Sequence, residues 1–139
     1  MINEESGKGE VKLIIDEGKL IAIFQAIKRV RKEIIWKPGK ANSHLAKRIC
    51  LGHLSDEATL EQYNAIATSV VSSTDANVYL YVYGETIYPT LVANVENKIW
   101  LVMIGLDGIL ETSFPPDDPE NYLANSAFVY LGLVKELEI

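Results

Sequence analysis

The sequence predicts an α+β fold, with helices in the first half packed on one face of a curled antiparallel β-meander in the second. Three observations carry this. Before about residue 71, apolar residues recur at three- and four-residue steps; after Asn77 the period drops to two. The dipeptides "EN" at 96–97 and "DG" at 107–108 cut the second half into hairpin-sized pieces. No internal repeat or low-complexity tract interrupts the order, and helices followed by a run of short strands is the α+β pattern.

The first nine residues are polar and read as a flexible tail, leaving 10–139 as one α+β domain. Val11–Ile15 suits a short strand. From Gly18, the residues Leu20, Ile23, Phe24, Ile27, Val30 and Ile34 form one apolar stripe of a helix, opposite Gln25, Lys28, Arg29 and Lys32. The same stretch also admits a hairpin turning at Glu17–Gly18, so residues 17–34 are read as a helix with that alternative open. Pro38 and Gly39 end the element. A second helix is expected over His44–Leu51, with Ser43 as its cap and Gly52 as its stop. The third helix begins at a capping box, Thr59 with Gln62, and buries Leu60, Tyr63, Ile66, Ala67 and Val70.

The strands follow. "VYLYVY" alternates Val78, Leu80 and Val82 with Tyr79, Tyr81 and Tyr83. "TIYPTLVANV" is the second strand, and Pro89 within it suggests an edge or a bulge, because proline cannot donate to a ladder. "KIWLVMIGL" is nearly continuously apolar and reads as the central strand. "ILETSF" returns after the Asp107–Gly108 turn. Asp118 caps a short helix starting at Pro119 and running to Ala124. "FVYLGLVKEL" closes the chain as a strand or a strand–helix mix.

Composition bounds the function. A chain of 139 residues buries about 68% of the surface its unfolded form exposes, so it needs no disulfide or metal staple. Cys50 is the single cysteine, which rules out an intramolecular disulfide and a multi-thiolate zinc site. The longest apolar run, Ile99–Leu106, is far short of the roughly 20 residues that cross a bilayer. The amino-terminal residues lack the apolar run of a leader. The expectation is a cytoplasmic protein with no membrane partner.

Charge is unevenly placed. Between Lys28 and Arg48 lie eight basic residues and one acid, Glu33, a local charge of +7, while the whole chain carries −6. The segment suits phosphates; the acidic remainder suits a positively charged protein. Proton-transfer chemistry has few candidates. His44 titrates in the physiological range, and Lys47 and Arg48, three and four residues on, share its helical face. Lys40 extends the same cationic group. Thr112 and Ser113, at the end of a strand, offer hydroxyl donors to a phosphoryl oxygen. Tyr81 and Tyr83 lie on a tyrosine face that suits base stacking. His53 reads as a loop residue. The two histidines form no metal motif, and "PPDDP" lacks the alternating oxygen ligands of a calcium loop. No cofactor or metal is expected.

"SHLAKR", "ATLEQYNAIATSVV", the strand pair, and "WLVMIGLDGILETSFPPDDPENYL" together resemble the barnase/EndoU/colicin D/RelE-like ribonuclease superfamily, in its polymorphic-toxin or phage-derived form, over about residues 36–123. The resemblance implies helices on one face of a curled sheet and metal-independent RNA cleavage. There His44, Thr112 and Ser113 would act at the reacting phosphate, and Lys40, Lys47, Arg48, Tyr81 and Tyr83 would bind RNA. Arg48 stands where a second histidine is expected, and residues 78–97 hold no Arg, Lys or His. Glu111 or a tyrosine would have to supply the missing proton donor. The alternative is a catalytically inactive interaction or immunity-type protein that binds a protein through its acidic and aromatic surface, or a homodimer paired through the tyrosine-rich strand.

Overall fold

The computed structural model describes residues 15–139. The expected tail and the start of the Val11–Ile15 strand lie outside that range. Helix α1 spans Glu17–Lys32, α2 Ala41–Cys50 and α3 Leu60–Val71. Strands β1 (Asn77–Tyr83), β2 (Thr86–Val95), β3 (Lys98–Ile104) and β4 (Leu110–Phe114) follow, then the short helix α4 (Pro119–Leu123), strand β5 (Phe128–Leu133) and the last turn of helix, α5 (Val134–Leu137). Every strand pairing is antiparallel, in the order β4-β3-β2-β1-β5, and the sheet does not close into a barrel.

The stretch that admitted a hairpin is helical. Asp16 caps α1, its Oδ1 accepting from Lys19 N at 2.7 Å, and Ile23, Ala26, Ile27 and Val30 are buried. Arg31, part of the basic segment, is used structurally: its Nε donates to the carbonyl of Val71 at 2.8 Å, satisfying the last turn of α3. The start of α3 is the expected capping box, with Gln62 N on Thr59 Oγ1 at 3.2 Å and Thr59 N on Gln62 Oε1 at 2.9 Å. Helix α2 begins at Ala41, three residues before the expected start at His44. Ser43 is not its cap but lies inside it, with Oγ donating back to the carbonyl of Lys40 at 3.0 Å. The turn residues at Lys37–Gly39 lead straight into a helix that needs no side-chain cap.

Helices α1 and α3 cover one face of the sheet. Tyr63, Ala67, Val70, Val78, Leu80, Leu91, Trp100, Val102, Ile104 and Leu110 join the α1 stripe in one buried core. The other face carries a second cluster of Val92, Leu101 and Met103, ringed by Tyr79, Tyr81, Tyr88, Phe114, Tyr122 and Phe128. This explains the apolar run of β3, whose residues are buried alternately on both faces. The middle strand is β2 rather than β3. Pro89 is accommodated there because pairing with β3 starts only at Thr90, so the proline stands where that side of β2 has no partner. Strand β1 is paired on both sides, by β2 and β5, so a dimer cannot form by adding a strand to it.

Two irregularities in the outer ladders bend the sheet. Along β1–β5 the register shifts after Val78, and along β3–β4 it shifts after Met103. At the second, Ile104 pairs with Leu110 and Met103 with Thr112, leaving Glu111 as the extra residue. The Asp107–Gly108 turn before it forms as expected. Gly108 has φ +81, and a Cβ there would lie 2.9 Å from Arg29 Cβ. After β4 the chain crosses the second face through residues 115–127 to reach the far edge, and α4 on that crossing packs Tyr122 and Leu123 against the second cluster.

Candidate functional site

The site lies where α2 meets the β4 edge of the sheet. Between α1 and α2 the chain runs beside β4: Leu110 N donates to Ile35 O at 2.8 Å and Lys37 N to Leu110 O at 3.1 Å, with Trp36 bridged to Leu110 in parallel. That short pairing anchors the start of α2 against β4. Trp36 is held in turn by its Nε1 donating to Asn64 Oδ1 at 2.7 Å, and its ring lies 5.2 Å from the ring of His44 at a 30° tilt.

The β4 bulge sets what His44 faces. Without an extra residue, Leu110 and Thr112 would point to the same side of the sheet. With Glu111 inserted, Leu110 enters the main core, while Thr112 pairs opposite Met103 of the second face. Thr112 Oγ1 then lies 3.4 Å from His44 Nδ1, a long contact. Glu111 turns outward to Lys37, 3.5 Å away.

The other end of α2 brings His53, a loop residue, into the site. Gly52, with φ +77, takes the left-handed position after the helix; its N–H bonds to Ile49 O at 3.0 Å, and His53 N bonds to Arg48 O at 2.8 Å. This is a Schellman ending, which normally brings together the side chains at the positions of His53 and Arg48 as an apolar pair. Here the pair is an imidazole and a guanidinium.

A cleft of about 510 Å³ results, walled by His44, Lys47, Arg48 and His53 on one side and by Thr112, Phe114, Pro115, Asp117, Asp118, Asn121 and Tyr122 on the other. Arg48 is only 3% exposed, yet its Nε has no hydrogen-bond partner. Among the described residues no carboxylate pairs with it, and its Cζ sits 5.3 Å from the centre of the Phe114 ring. His53 Nδ1 is also buried without a partner. Burial pushes the Arg48 pKa down, opposed by neighbouring Tyr63. Burial lowers His44 as well, reinforced by Arg48, Lys47 and Lys40 and opposed by Glu111; burial, Arg48 and Lys98 lower His53 against Asp117. Both imidazoles are therefore biased to the neutral form at pH 7. Among the described residues no three His, Cys, Asp or Glu side chains group as a metal site.

The sequence-predicted residues divide clearly. His44, Lys47, Arg48 and Thr112 converge on the cleft. Lys40 is exposed outside it but close enough to bear on His44. Ser113 is buried, its Oγ donating to Leu101 O at 2.8 Å and its carbonyl accepting from the Tyr63 hydroxyl, so it finishes the strand and has no access to a ligand. Tyr81 packs 5.0 Å from Phe128 within the second cluster, and Tyr83 is exposed at the hairpin end of β1; neither lines the cleft. No known protein family matches the chain, and neither a curated protein nor a solved structure matches it. Among the described residues no helix is long and apolar enough to cross a membrane. Among the described residues, a buried guanidinium with no carboxylate partner, beside a lysine and two imidazoles biased to the neutral form, is an arrangement suited to an anion.

Proposed function

We propose that the cleft binds the phosphodiester backbone of RNA and cleaves it without a metal, in the manner of a ribonuclease-toxin domain. The observation that carries this is Arg48: a buried cation that lines the same cleft as His44 and whose Nε has no partner. An anion seated there would satisfy the guanidinium with charge-assisted bonds, and a phosphate presents the matching oxygens. Phe114 and Tyr122 supply an aromatic wall for an unstacked base, and Asp117 and Asn121 supply partners for its polar edge.

The reaction assigns each group a step. In this reaction Thr112 accepts from His44 Nδ1–H, the tautomer that leaves Nε2 to take the proton of the ribose 2′-hydroxyl. The 2′-oxygen forms its bond to phosphorus as the bond to the 5′-oxygen breaks, giving a 2′,3′-cyclic phosphate and a 5′-hydroxyl. Arg48 and Lys47 stabilise the charge on the phosphorane. His53, once a bound phosphate has drawn a proton to it, returns a proton to the departing 5′-oxygen. Thr112 is thus a positioning residue for His44, not a donor to the phosphoryl oxygen.

The test is incubation of purified protein with single-stranded RNA in a chelator, followed for cyclic-phosphate ends. His44→Ala should slow cleavage by about 10²–10⁴-fold while leaving RNA binding intact. RNA that stays whole with the wild-type protein across pH 5–8 would refute the catalytic part of the proposal. Binding without cleavage would leave the inactive form of the same RNA-binding domain.

A further inference from the structure

The cleft does not end at His53. A second hollow of about 350 Å³ is lined by His53, Asn97, Lys98, Pro115, Pro116 and Asp117, four of which also wall the main cleft. A third, of about 210 Å³, again has His53 and Lys98 on its rim, with Trp100 beneath. His53 and the two prolines are therefore a saddle between neighbouring depressions, and one groove runs from His44 past His53 to the start of β3. At its far end stands Lys98. It is exposed, and among the described residues no carboxylate forms an ion pair with it. It is also the one basic residue of the chain between His53 and Lys135. Its placement is fixed by the tight turn before it, in which Glu96 and Asn97 both take positive φ (51° and 68°) and Asn97 N donates to Asn94 Oδ1 at 2.9 Å.

We propose that Lys98 is a second phosphate subsite, so that the ligand of this groove is a single-stranded segment with at least two consecutive phosphates, one at Arg48 and Lys47 and the next at Lys98. This rests on the RNA reading of the cleft and adds its length and its register. A duplex does not fit the requirement, because the base between the two phosphates must leave its stack to reach Phe114 and Tyr122. The two prolines favour a preformed rim that does not have to be ordered on binding.

The experiment measures fluorescence anisotropy of labelled 2′-fluoro oligonucleotides, which cannot be cleaved, with one, two and four phosphates at several salt concentrations. The wild-type protein should gain affinity sharply between one phosphate and two. Lys98→Ala should remove that gain and lower the log–log salt slope by about 0.7, the share of one single-strand phosphate contact. Lys135→Ala, which removes an equal charge from an exposed pair with Asp75, should change neither. A length dependence and slope unchanged in Lys98→Ala, or an equal fall in Lys135→Ala, overturns the second subsite while leaving the Arg48 cleft standing. Failure of every oligonucleotide to bind the wild-type protein overturns both.

Discussion

Replacing Arg48 by Met should make the folded protein more stable and the cleft useless. The guanidinium is buried, its Nε has no partner, and among the described residues no carboxylate pairs with it. Leaving a buried donor unsatisfied costs about 1–3 kcal/mol. Against this stands the contact with Phe114 at 5.3 Å, worth about 0.5–2 kcal/mol as a cation–π pair. Methionine fills much of the same space and keeps a sulfur–aromatic contact of about 0.3–1.5 kcal/mol. The balance favours Arg48→Met by about 1 kcal/mol, which for a domain of this size is a rise in Tm of roughly 3–5 °C. The assay is thermal unfolding followed by circular dichroism in a buffer free of phosphate and sulfate. A second arm adds inorganic phosphate. At a hundred times its Kd, an anion bound only by the folded state adds about 2.7 kcal/mol to the wild type and should add nothing to the variant. A variant that melts below the wild type in the anion-free buffer would show that Arg48 is there for the fold. Equal stabilisation of both proteins by phosphate would place the anion elsewhere. Either result refutes the reasoning that leads from an orphan cation to a binding site.

Other consequences are as direct. Gly52→Ala puts a Cβ on a left-handed residue and should cost about 1–2 kcal/mol in urea unfolding; by misplacing His53 it should also slow RNA cleavage more than it weakens RNA binding. Tyr63→Phe removes the hydroxyl that donates to Ser113 O and leaves that carbonyl buried and unpaired, which should lower stability by about 1–3 kcal/mol with little effect on RNA affinity. Both histidines have folded-state pKa values below that of the free side chain, so the unfolded chain binds protons more readily. Their contribution to stability is therefore complete above about pH 6.5 and is lost as pH falls through the lower folded values. Urea midpoints measured from pH 7.5 to 5 should decline, and His44→Gln should flatten the decline. Phosphate should reverse part of it, because a bound anion favours the protonated rings.

What the sequence disclosed and what it hid separate by the range of the interaction. The Thr59–Gln62 box, the period-two tyrosine strand and the Asp107–Gly108 turn each depend on residues within a few positions of one another, and each was readable. So was the shared face of His44, Lys47 and Arg48, since helical spacing alone decides it. Ser43 misled because the turn at Lys37–Gly39 starts the helix before a cap is needed. Ser113 and Thr112 are adjacent and chemically alike, and only the bulge at Glu111, together with the Tyr63 hydroxyl fifty residues away, decides which is sealed and which is open. The signal for His53 lies in the residue before it. Gly52 marked a left-handed helix end, and such an end folds the next residue back toward Arg48. Tyr81 packs against Phe128 rather than lining the cleft, and nothing near it in sequence announces Phe128, which arrives with β5 from the other end of the domain.

The strap at residues 115–127 also dictates the order in which the molecule can be completed. A ribosome delivers the first four strands before the fifth, so the outer flank of β1 waits uncovered until Phe128–Leu133 emerge. The wall bearing Asp117 and Tyr122 is threaded across in that same closing step. Sealing the sheet border and finishing the pocket are therefore a single event, and a nascent chain halted at Phe114 has neither.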